Sequence, residues 1–180
     1  MDASRTSPDV LSTRLDRLES ESAIRFVMAE YMRLCDRLDA DTPMDALGEL
    51  FAEDAVWAGR GARYAAAYGV LEGRAAIINM LDAYRGPKPH FELNAHFLTS
   101  ESISVDGQLA SGSWVMLQTS TYSNGASDLR AARLHVAFTR ALGRWRIHRF
   151  ETENLFSRPV DHWDDPTAIA TPTPTAAQGE

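Results

Sequence analysis

Residues 23–36 read AIRFVMAEYMRLCD, and the rest of the chain is organised around this stretch. Its apolar residues recur at the i, i+3, i+4 and i+7 spacing of one helix face, which predicts an amphipathic helix. The residues that follow this spacing are Ile24, Val27, Met28, Tyr31, Leu34, Cys35 and Leu38. The helix is expected to end between Asp39 and Thr42, just before Pro43.

Other segments with helical spacing lie on both sides of this stretch. Apolar residues recur every three to four positions in residues 10–18, and Ser20 or Ser22 would either cap a second segment or lie inside one long helix. Residues 43–51 predict a short helix that begins with a proline, and residues 75–84 predict a further one. The N-terminal part of the chain is therefore expected to hold three helices.

The second half of the chain has the period of two that is typical of strands. Residues 55–57 predict a short strand, and the glycine-punctuated residues 59–69 predict a hairpin or a mobile flap. Asp-Gly at residues 106–107 and Asn-Gly at residues 124–125 are strong turn signals. The long predicted strands cover residues 90–105, 109–122, 129–140 and 145–156.

This order of elements predicts an α+β fold with a single domain over residues 11–158. A strongly curved antiparallel sheet wrapped around three N-terminal helices would form a cone with an open end and a deep, mostly apolar pocket. The polar residues 1–10 and the Pro/Thr-rich tail, residues 159–180, are expected to be flexible.

Composition excludes several classes of protein. The net charge of −7 without a basic patch argues against nucleic-acid partners and anionic membrane surfaces. No apolar run approaches the length of a membrane span, and the N-terminus lacks the apolar core of a signal peptide, so a cytoplasmic protein is predicted. A single cysteine, Cys35, rules out an intrachain disulfide and a cysteine-based zinc site.

Several short motifs together resemble the SnoaL-like group of the nuclear transport factor 2 fold. Besides residues 23–36 and His96, they are LFAEDAVW at 50–57, GRAAI at 73–77, DGQLA at 106–110 and GRWRI at 143–147. Each motif alone is weak, but their order and spacing from Leu15 to Phe156 are fairly specific for the fold. The resemblance implies the cone that the pattern of elements also predicts, and it says much less about a reaction.

The resemblance also implies a site. The fold hosts scytalone dehydratase, a bile-acid dehydratase, a dehydrochlorinase, ketosteroid isomerase and non-enzymatic binding domains. Its dehydratase members pair an acid near the end of the first helix with a strand histidine, and Asp36 and His96 fall at those positions. Tyr31 matches a substrate-contacting tyrosine. Gln118 replaces a further acid of the bile-acid dehydratase, and Asn154 replaces its late arginine, unless a bulge shifts that alignment.

Proton transfer is the chemistry that such a pair performs. An imidazole titrates near neutral pH, and a carboxylate on its other nitrogen fixes the tautomer. From spacing alone, however, Asp36 lies about 120° to 140° from the centre of the apolar helix face, which favours a solvated acid and a structural histidine. The resemblance favours the pair, with His96 as base and Asp36 as its partner. Tyr31 would be a hydrogen-bond donor or a core tyrosine.

Aromatic residues supply candidate pocket walls. Trp114, Met116 and Gln118 alternate along one strand and share a face, so they are expected to bind substrate together. Further candidates for the wall are Trp57, Tyr64, Tyr68, Phe91, Asn154 and Phe156. Core packing is the preferred interpretation for Trp57. An aromatic wall suits a flat cyclic substrate.

The remaining polar residues point away from metal and nucleophile chemistry. The five histidines show no ligand spacing on one element, so no metal is predicted, and the proton-transfer chemistry that the resemblance implies calls for no cofactor. Cys35 lies beside Asp36, whose charge would raise the thiol pKa and make it a poor nucleophile. Arg133 and His135 alternate with apolar residues and are expected on the outer sheet face, where Val115 and Leu117 also suggest a homodimer.

The sequence therefore predicts a cofactor-independent lyase or isomerase that acts on a small hydrophobic cyclic metabolite of polyketide or terpenoid type. The alternative is a non-catalytic domain of the same fold that binds a small molecule or supports an assembly. A polar pair on the floor of the cavity would distinguish the two.

Overall fold

The structure is a computed structural model that describes residues 7–161 and 163. Its elements are α1 (Pro8–Arg37), α2 (Met44–Glu49), β1 (Phe51–Arg60), α3 (Gly61–Tyr68), β2 (Val70–Glu72), α4 (Arg74–Asp82), β3 (Phe91–Asp106), β4 (Leu109–Tyr122), β5 (Ser127–Ala141) and β6 (Arg144–Val160). The six strands form one open sheet in the order β2-β1-β6-β5-β4-β3. The α+β fold and its antiparallel meander, β3 to β6, are as the sequence predicts.

One strand pair departs from the antiparallel pattern. Strand β1 pairs in parallel with β6, with Trp57 opposite Phe150, while β2 pairs antiparallel with β1. The long meander between β1 and β6 provides the crossover that a parallel pair requires. Strand β1 is also longer than the predicted residues 55–57: it begins at Phe51, because helix α2 ends at Glu49, and pairing with β6 extends it to Arg60.

Helix α1 is one continuous helix rather than two segments. Ser7 caps it by accepting a hydrogen bond from the Val10 amide at 3.4 Å, and Pro8 occupies the first turn. The helix ends at Leu38, whose φ of 30° is left-handed. Its N-terminal half is exposed, and its buried face begins at Ser20, so only the second half packs into the cone.

Residues 61–68 form helix α3 instead of a hairpin or a mobile flap, which raises the helices among the described residues to four. The glycines that suggested a turn lie at or beyond its ends, and the run between them is rich in alanine. Tyr64 is buried and contacts Tyr68, which packs edge-on against Trp57. These contacts fix α3 against β1.

The ends of the domain differ slightly from the predicted bounds. Helix α1 already includes residues 8–10, and β6 runs to Val160, two residues into the predicted tail. Of the predicted flexible segments, residues 1–6, 162 and 164–180 lie outside the described residues.

The core lies between the inner face of the sheet and the second half of α1. Its fully buried large side chains come from both layers, and they are Ile24, Met28, Leu34, Leu47, Phe51, Ile77, Leu134, Phe138 and Ile147. Along β5, Leu134, Val136 and Phe138 face inward while Arg133 and His135 are exposed, as their alternation predicts. The cone is therefore filled at one end, which leaves the end near Asp36 for a cavity.

Substituting a glycine at the filled end should destabilise the fold. A Cβ at Gly112 would overlap Cη2 and Cζ3 of the buried Trp114 ring. We expect Gly112→Ala to lower the free energy of unfolding by about 1 to 3 kcal/mol, because the packed ring cannot move aside without strain. Urea denaturation measures this loss.

The matched control is Gly48→Ala, in helix α2. A Cβ there meets its nearest atom, Ile78 Cγ1, at an ordinary 3.6 Å. The same chemical change should therefore stabilise the helix by about 0.5 to 1 kcal/mol. Equal effects of the two substitutions would contradict the packing argument.

Candidate active site

Asp36 and His96 meet at the open end of the cone. Asp36 lies in the last turn of α1, and His96 lies in β3. The Asp36 Oδ1 atom is 2.6 Å from His96 Nδ1, and it also accepts the backbone amide of His96 at 3.0 Å. The side chain of His96 is only 10% exposed, and that of Asp36 is 31% exposed. The carboxylate thus holds both the ring and the backbone of the histidine.

The hydrogen bond sets the tautomer of His96. A carboxylate can only accept hydrogen bonds, so His96 Nδ1 carries the proton. In the neutral ring, Nε2 is then the unprotonated nitrogen and is available as a base. His96 is one of the residues that line the cavity, so this base serves a sheltered space rather than bulk water.

Asp36 reaches His96 because α1 is packed on two sides. The sheet core contacts one face of the helix, and β3 packs along its flank. Asn94 Nδ2 donates to the Cys35 carbonyl at 3.1 Å and fixes the last turn to β3. The helix-wheel argument that placed Asp36 in solvent considers only one buried face, and it fails here because the flank is covered as well.

A cavity of about 270 Å³ opens beside the pair. Six residues that the sequence analysis named for the site besides His96 lie in its wall: Tyr31, Trp57, Tyr64, Phe91, Met116 and Gln118. Tyr68, also a wall candidate, lies there too. Trp57 is both core and wall, since it is 6% exposed and stacks on Phe150 at a ring distance of 5.9 Å. The wall is mostly aromatic and apolar.

Trp114 does not line the cavity, which corrects the expectation from alternation. It shares the inner face with Met116 and Gln118, but its ring turns over Gly112 toward the filled end of the cone. Trp114 Nε1 donates to Glu101 at 3.2 Å, which fixes the ring there. Alternation therefore predicted the correct face of the sheet for Trp114, but packing determined where along the cone its ring lies.

Asn154 and Phe156 are also absent from the cavity wall. Asn154 Nδ2 donates to Ser157 Oγ at 2.9 Å and to the Phe156 carbonyl at 3.0 Å, so its amide is turned back along β6. Ala132 of β5 pairs with Asn154, but its neighbour Ala131 pairs with Phe156, so Leu155 is the extra residue of a bulge. This shift moves Phe156, 46% exposed, to the outer face.

Tyr31 lies deep in the cavity wall. Its ring packs edge-on against Phe51 and Phe150, and its hydroxyl accepts a hydrogen bond from Trp57 Nε1 at 3.4 Å. Burial raises the pKa of Tyr31 well above its ordinary range. The hydroxyl therefore keeps its proton at neutral pH and is able to donate it in a hydrogen bond.

Comparison with known families identifies the fold. Residues 16–151 match the SnoaL-like domain family. The chain belongs to this family. No curated protein matches the sequence significantly.

Solved structures agree with this assignment of the SnoaL-like chain. An NTF2-like protein with a cystatin-like fold from Novosphingobium aromaticivorans is 28% identical, with 83% of this chain and 90% of that chain covered and a TM-score of 0.65. The hexachlorocyclohexane dehydrochlorinase LinA-type3 from Novosphingobium barchaimii is 19% identical, with 89% and 99% covered and a TM-score of 0.67. A protein from N. aromaticivorans to which scytalone dehydratase activity is ascribed is 19% identical, with 91% and 97% covered and a TM-score of 0.66.

The SnoaL-like chain carries a polar network that the sequence analysis missed. Asn94 Oδ1 accepts hydrogen bonds from Gln118 Nε2 at 2.9 Å and from Ser120 Oγ at 2.8 Å. Because Asn94 also binds the Cys35 carbonyl, this network joins the helix end to β3 and β4. Both Asn94 and Gln118 line the cavity, so Gln118 is held in place beside His96, its partner across the strands.

Arg130 is the second feature that was missed. It lines the cavity, and its side chain is 25% exposed. The signal was present in the sequence, because Arg130 has the same parity along β5 as the inward-facing Leu134 and Val136. His90 also contributes to the rim: it is exposed, as expected, but its ring contacts Tyr84, Phe91 and Tyr122.

Within residues 7–161 and 163, the side chains of His, Cys, Asp and Glu form no group of three or more that could hold a metal ion. Of the helices described, none is long and apolar enough to cross a membrane.

Cys35 gives a prediction for alkaline pH. Burial, with a smaller contribution from the Asp36 charge, raises the pKa of the Cys35 thiol from 9.0 to about 12, although the Tyr31 hydroxyl opposes the shift. Above pH 9 the unfolded chain releases this proton and the folded chain keeps it. The free energy of unfolding should therefore fall by up to about 1.4 kcal/mol per pH unit between pH 9 and 12.

Urea midpoints between pH 8 and 10.5 measure this effect in the wild type and in Cys35→Ala. The variant lacks the thiol, so its stability should fall less steeply with pH, whatever its stability at pH 8. Parallel pH profiles for the two proteins would contradict a buried thiol that stays protonated.

Proposed function

We propose that this SnoaL-like protein is a lyase or isomerase that uses His96 as a general base and Asp36 as its orienting partner. The observation that carries the proposal is the 2.6 Å contact between Asp36 Oδ1 and Nδ1 of His96, which lies in the wall of a largely apolar cavity that Asp36 itself does not line. Low polarity strengthens electrostatic interactions there, and the fixed tautomer leaves Nε2 ready to accept a proton.

In the elimination, a C–H bond of the substrate breaks and its proton moves to His96 Nε2. The electron pair of that bond forms the new double bond, and the leaving group on the neighbouring carbon departs with the electrons of its own bond. Asp36 stabilises the imidazolium that forms. The imidazolium then returns the proton to the departing hydroxide, which gives water. In an isomerisation the proton would return to a different carbon.

Tyr31 is proposed as a hydrogen-bond donor to the substrate. Its hydroxyl keeps its proton, and it lies in the cavity wall. Donation to a departing hydroxyl or to a carbonyl would stabilise negative charge that develops there. Tyr31 is also a core residue, because its ring packs against Phe51 and Phe150 whether or not substrate is bound.

The cavity supports a small, flat and apolar substrate. Its volume of about 270 Å³ lies just below the range of about 300 to 1,000 Å³ that is usual for sites of drug-sized ligands. One or two fused rings of polyketide or terpenoid type fit this description. Two structures of the same fold bear the names of a hexachlorocyclohexane dehydrochlorinase and, by ascription, a scytalone dehydratase, and both names denote eliminations of the proposed class.

A panel of cyclic β-hydroxy ketones tests the proposal. With 3-hydroxycyclohexanone the product would be an enone, and with 3-hydroxy-1-tetralone it would be 1-naphthol, so ultraviolet absorbance follows both reactions. We expect turnover of at least one member and, in D₂O, exchange of the α-proton. Compounds that raise the Tm of the protein but show neither elimination nor exchange would favour the non-catalytic binding domain.

A homodimer through the outer sheet face remains a proposal. The exposed Arg133 and His135 and the half-buried Val115 and Leu117 lie on that face. Light scattering would give the mass of the protein in solution, and the mass of one chain at micromolar concentration would reject the dimer.

A further inference from the structure

Three neighbouring strands place His96, Gln118 and Arg130 in one row. His96 pairs with Gln118 across β3 and β4, and Gln118 pairs with Arg130 across β4 and β5. Residues that pair directly across antiparallel strands point to the same face of the sheet. All three line the cavity. The Cα atoms of His96 and Arg130 are therefore separated by two strand spacings, roughly 10 Å.

Within residues 7–161 and 163, only part of the Arg130 guanidinium is hydrogen-bonded to the protein. Nε and Nη2 donate to Asp128 Oδ2 at 2.9 and 2.6 Å, and Nη2 also donates to the Tyr122 hydroxyl at 2.6 Å. Tyr122 in turn donates to Asp128 Oδ2 at 3.0 Å. For Nη1, no hydrogen-bond acceptor lies within reach among residues 7–161 and 163. With respect to the described part of the chain, its two N–H groups are available to a ligand.

The ion pair is oriented toward the cavity. Arg130 and Tyr122 belong to the cavity wall, whereas Asp128 does not. The carboxylate therefore lies behind the guanidinium, and its second oxygen, Oδ1, is buried without a partner in the described part of the chain. A largely buried ion pair that is incompletely hydrogen-bonded contributes little to stability. A role in binding explains its position better.

We propose that Arg130 Nη1 binds a carbonyl oxygen of a cyclic substrate, orients the ring toward His96 and stabilises the enolate oxygen that forms; this rests on the proposed elimination. When His96 Nε2 takes the α-proton, the electron pair moves into a C=C bond and the negative charge moves to that oxygen. The enolate then expels the leaving group from the β-carbon and regenerates the carbonyl.

A neutral carbonyl suits the site better than a carboxylate does. Asp128 already balances the charge of Arg130, so an anionic ground-state ligand would bring an unbalanced charge into an apolar cavity. A carbonyl needs only the hydrogen bond from Nη1. As charge develops on its oxygen, that hydrogen bond becomes charge-assisted and stronger, which favours the transition state over the bound substrate.

A phenolate is a stable mimic of an enolate, so 2-naphthol is the probe for this contact. Its absorbance distinguishes the neutral form from the naphtholate, and titration gives both its affinity and the pH at which the bound probe ionises. In the wild type we expect binding with ionisation at a lower pH than in variants without the Nη1 donor.

Two variants remove the donor in different ways. Arg130→Lys keeps a positive charge beside Asp128 but has no second nitrogen that could bind the substrate oxygen. The double variant Arg130→Met with Asp128→Asn removes both charges, so that no buried carboxylate is left unpaired. Each should weaken binding of 2-naphthol by about 10- to 100-fold. The probe bound to the double variant should also ionise at a higher pH than the probe bound to the wild type. Arg133→Met, on the exposed face of the same strand, is the control and should match the wild type.

Unchanged affinity and unchanged ionisation of 2-naphthol in correctly folded Arg130 variants would overturn the inference, as would a wild type that does not bind the probe. The two proposals fail separately. If Arg130 variants lose the probe while His96→Gln turns over the ketone panel normally, elimination by His96 is rejected and Arg130 remains an oxygen-binding residue. The opposite pattern rejects the role of Arg130 and keeps the elimination.

Discussion

Replacing His96 with glutamine is expected to lower kcat for any active β-hydroxy ketone by about 10²- to 10⁴-fold. The glutamine side chain can still accept a hydrogen bond near the position of the ring, but it cannot take a proton at neutral pH, so general-base catalysis is lost. The cavity wall is otherwise unchanged, and the affinity for unreactive cyclic ketones should stay within a few-fold. Steady-state kinetics together with ligand titration separate these two effects.

His135→Gln is the matched control for this substitution. His135 lies on the exposed face of β5 and does not line the cavity, so its loss should leave kcat unchanged. If His96→Gln retained the wild-type kcat, His96 would be a structural histidine, and the site would need another base.

Replacing Asp36 with asparagine is expected to cost about 10²- to 10⁴-fold in kcat with little loss of stability. The amide oxygen can still accept from the backbone amide and from Nδ1 of His96, but the variant loses the negative charge that stabilises the imidazolium and raises the basicity of Nε2. Because the pair is partly exposed, the free energy of unfolding should change by no more than about 1 kcal/mol. Kinetics and urea denaturation of the same variant give both numbers.

Asp41→Asn provides the control, since Asp41 is exposed just beyond the end of the same helix. It removes one negative charge near the site without touching His96. A loss of kcat in Asp41→Asn as large as that in Asp36→Asn would mean that overall charge matters rather than the contact with the ring.

The sequence contained most of the fold because local periodicity records which face of an element is buried. The apolar spacing of residues 23–36 gave the buried face of α1, and the Asp-Gly and Asn-Gly turns gave the ends of the meander strands. The same periodicity could not reveal α3, since glycines at its ends look the same as glycines within a hairpin. Helix formation there depends on the packing of Tyr64 and Tyr68 against β1.

The sequence predicted only part of the candidate site, and each missed residue depends on a particular tertiary contact or strand pairing. Alternation placed Trp114 on the correct face but could not show that its ring turns over Gly112. A single bulge residue, Leu155, moved Phe156 to the outer face. The alternation that places Leu134 on the inner face of β5 also places Arg130 there. That Arg130 lies in the same row as His96, however, follows only from the pairing of β3, β4 and β5.

By itself, the sequence determined most of the helices, the four long meander strands and their order, and the presence of an acid and a histidine capable of proton transfer. Only the tertiary structure decided that these two groups meet. The helical period of the sequence identifies only the face of α1 that packs against one layer, and Asp36 lies outside that face. It turns inward because β3 covers the flank of α1 and offers both the ring and the backbone amide of His96 to the same carboxylate oxygen.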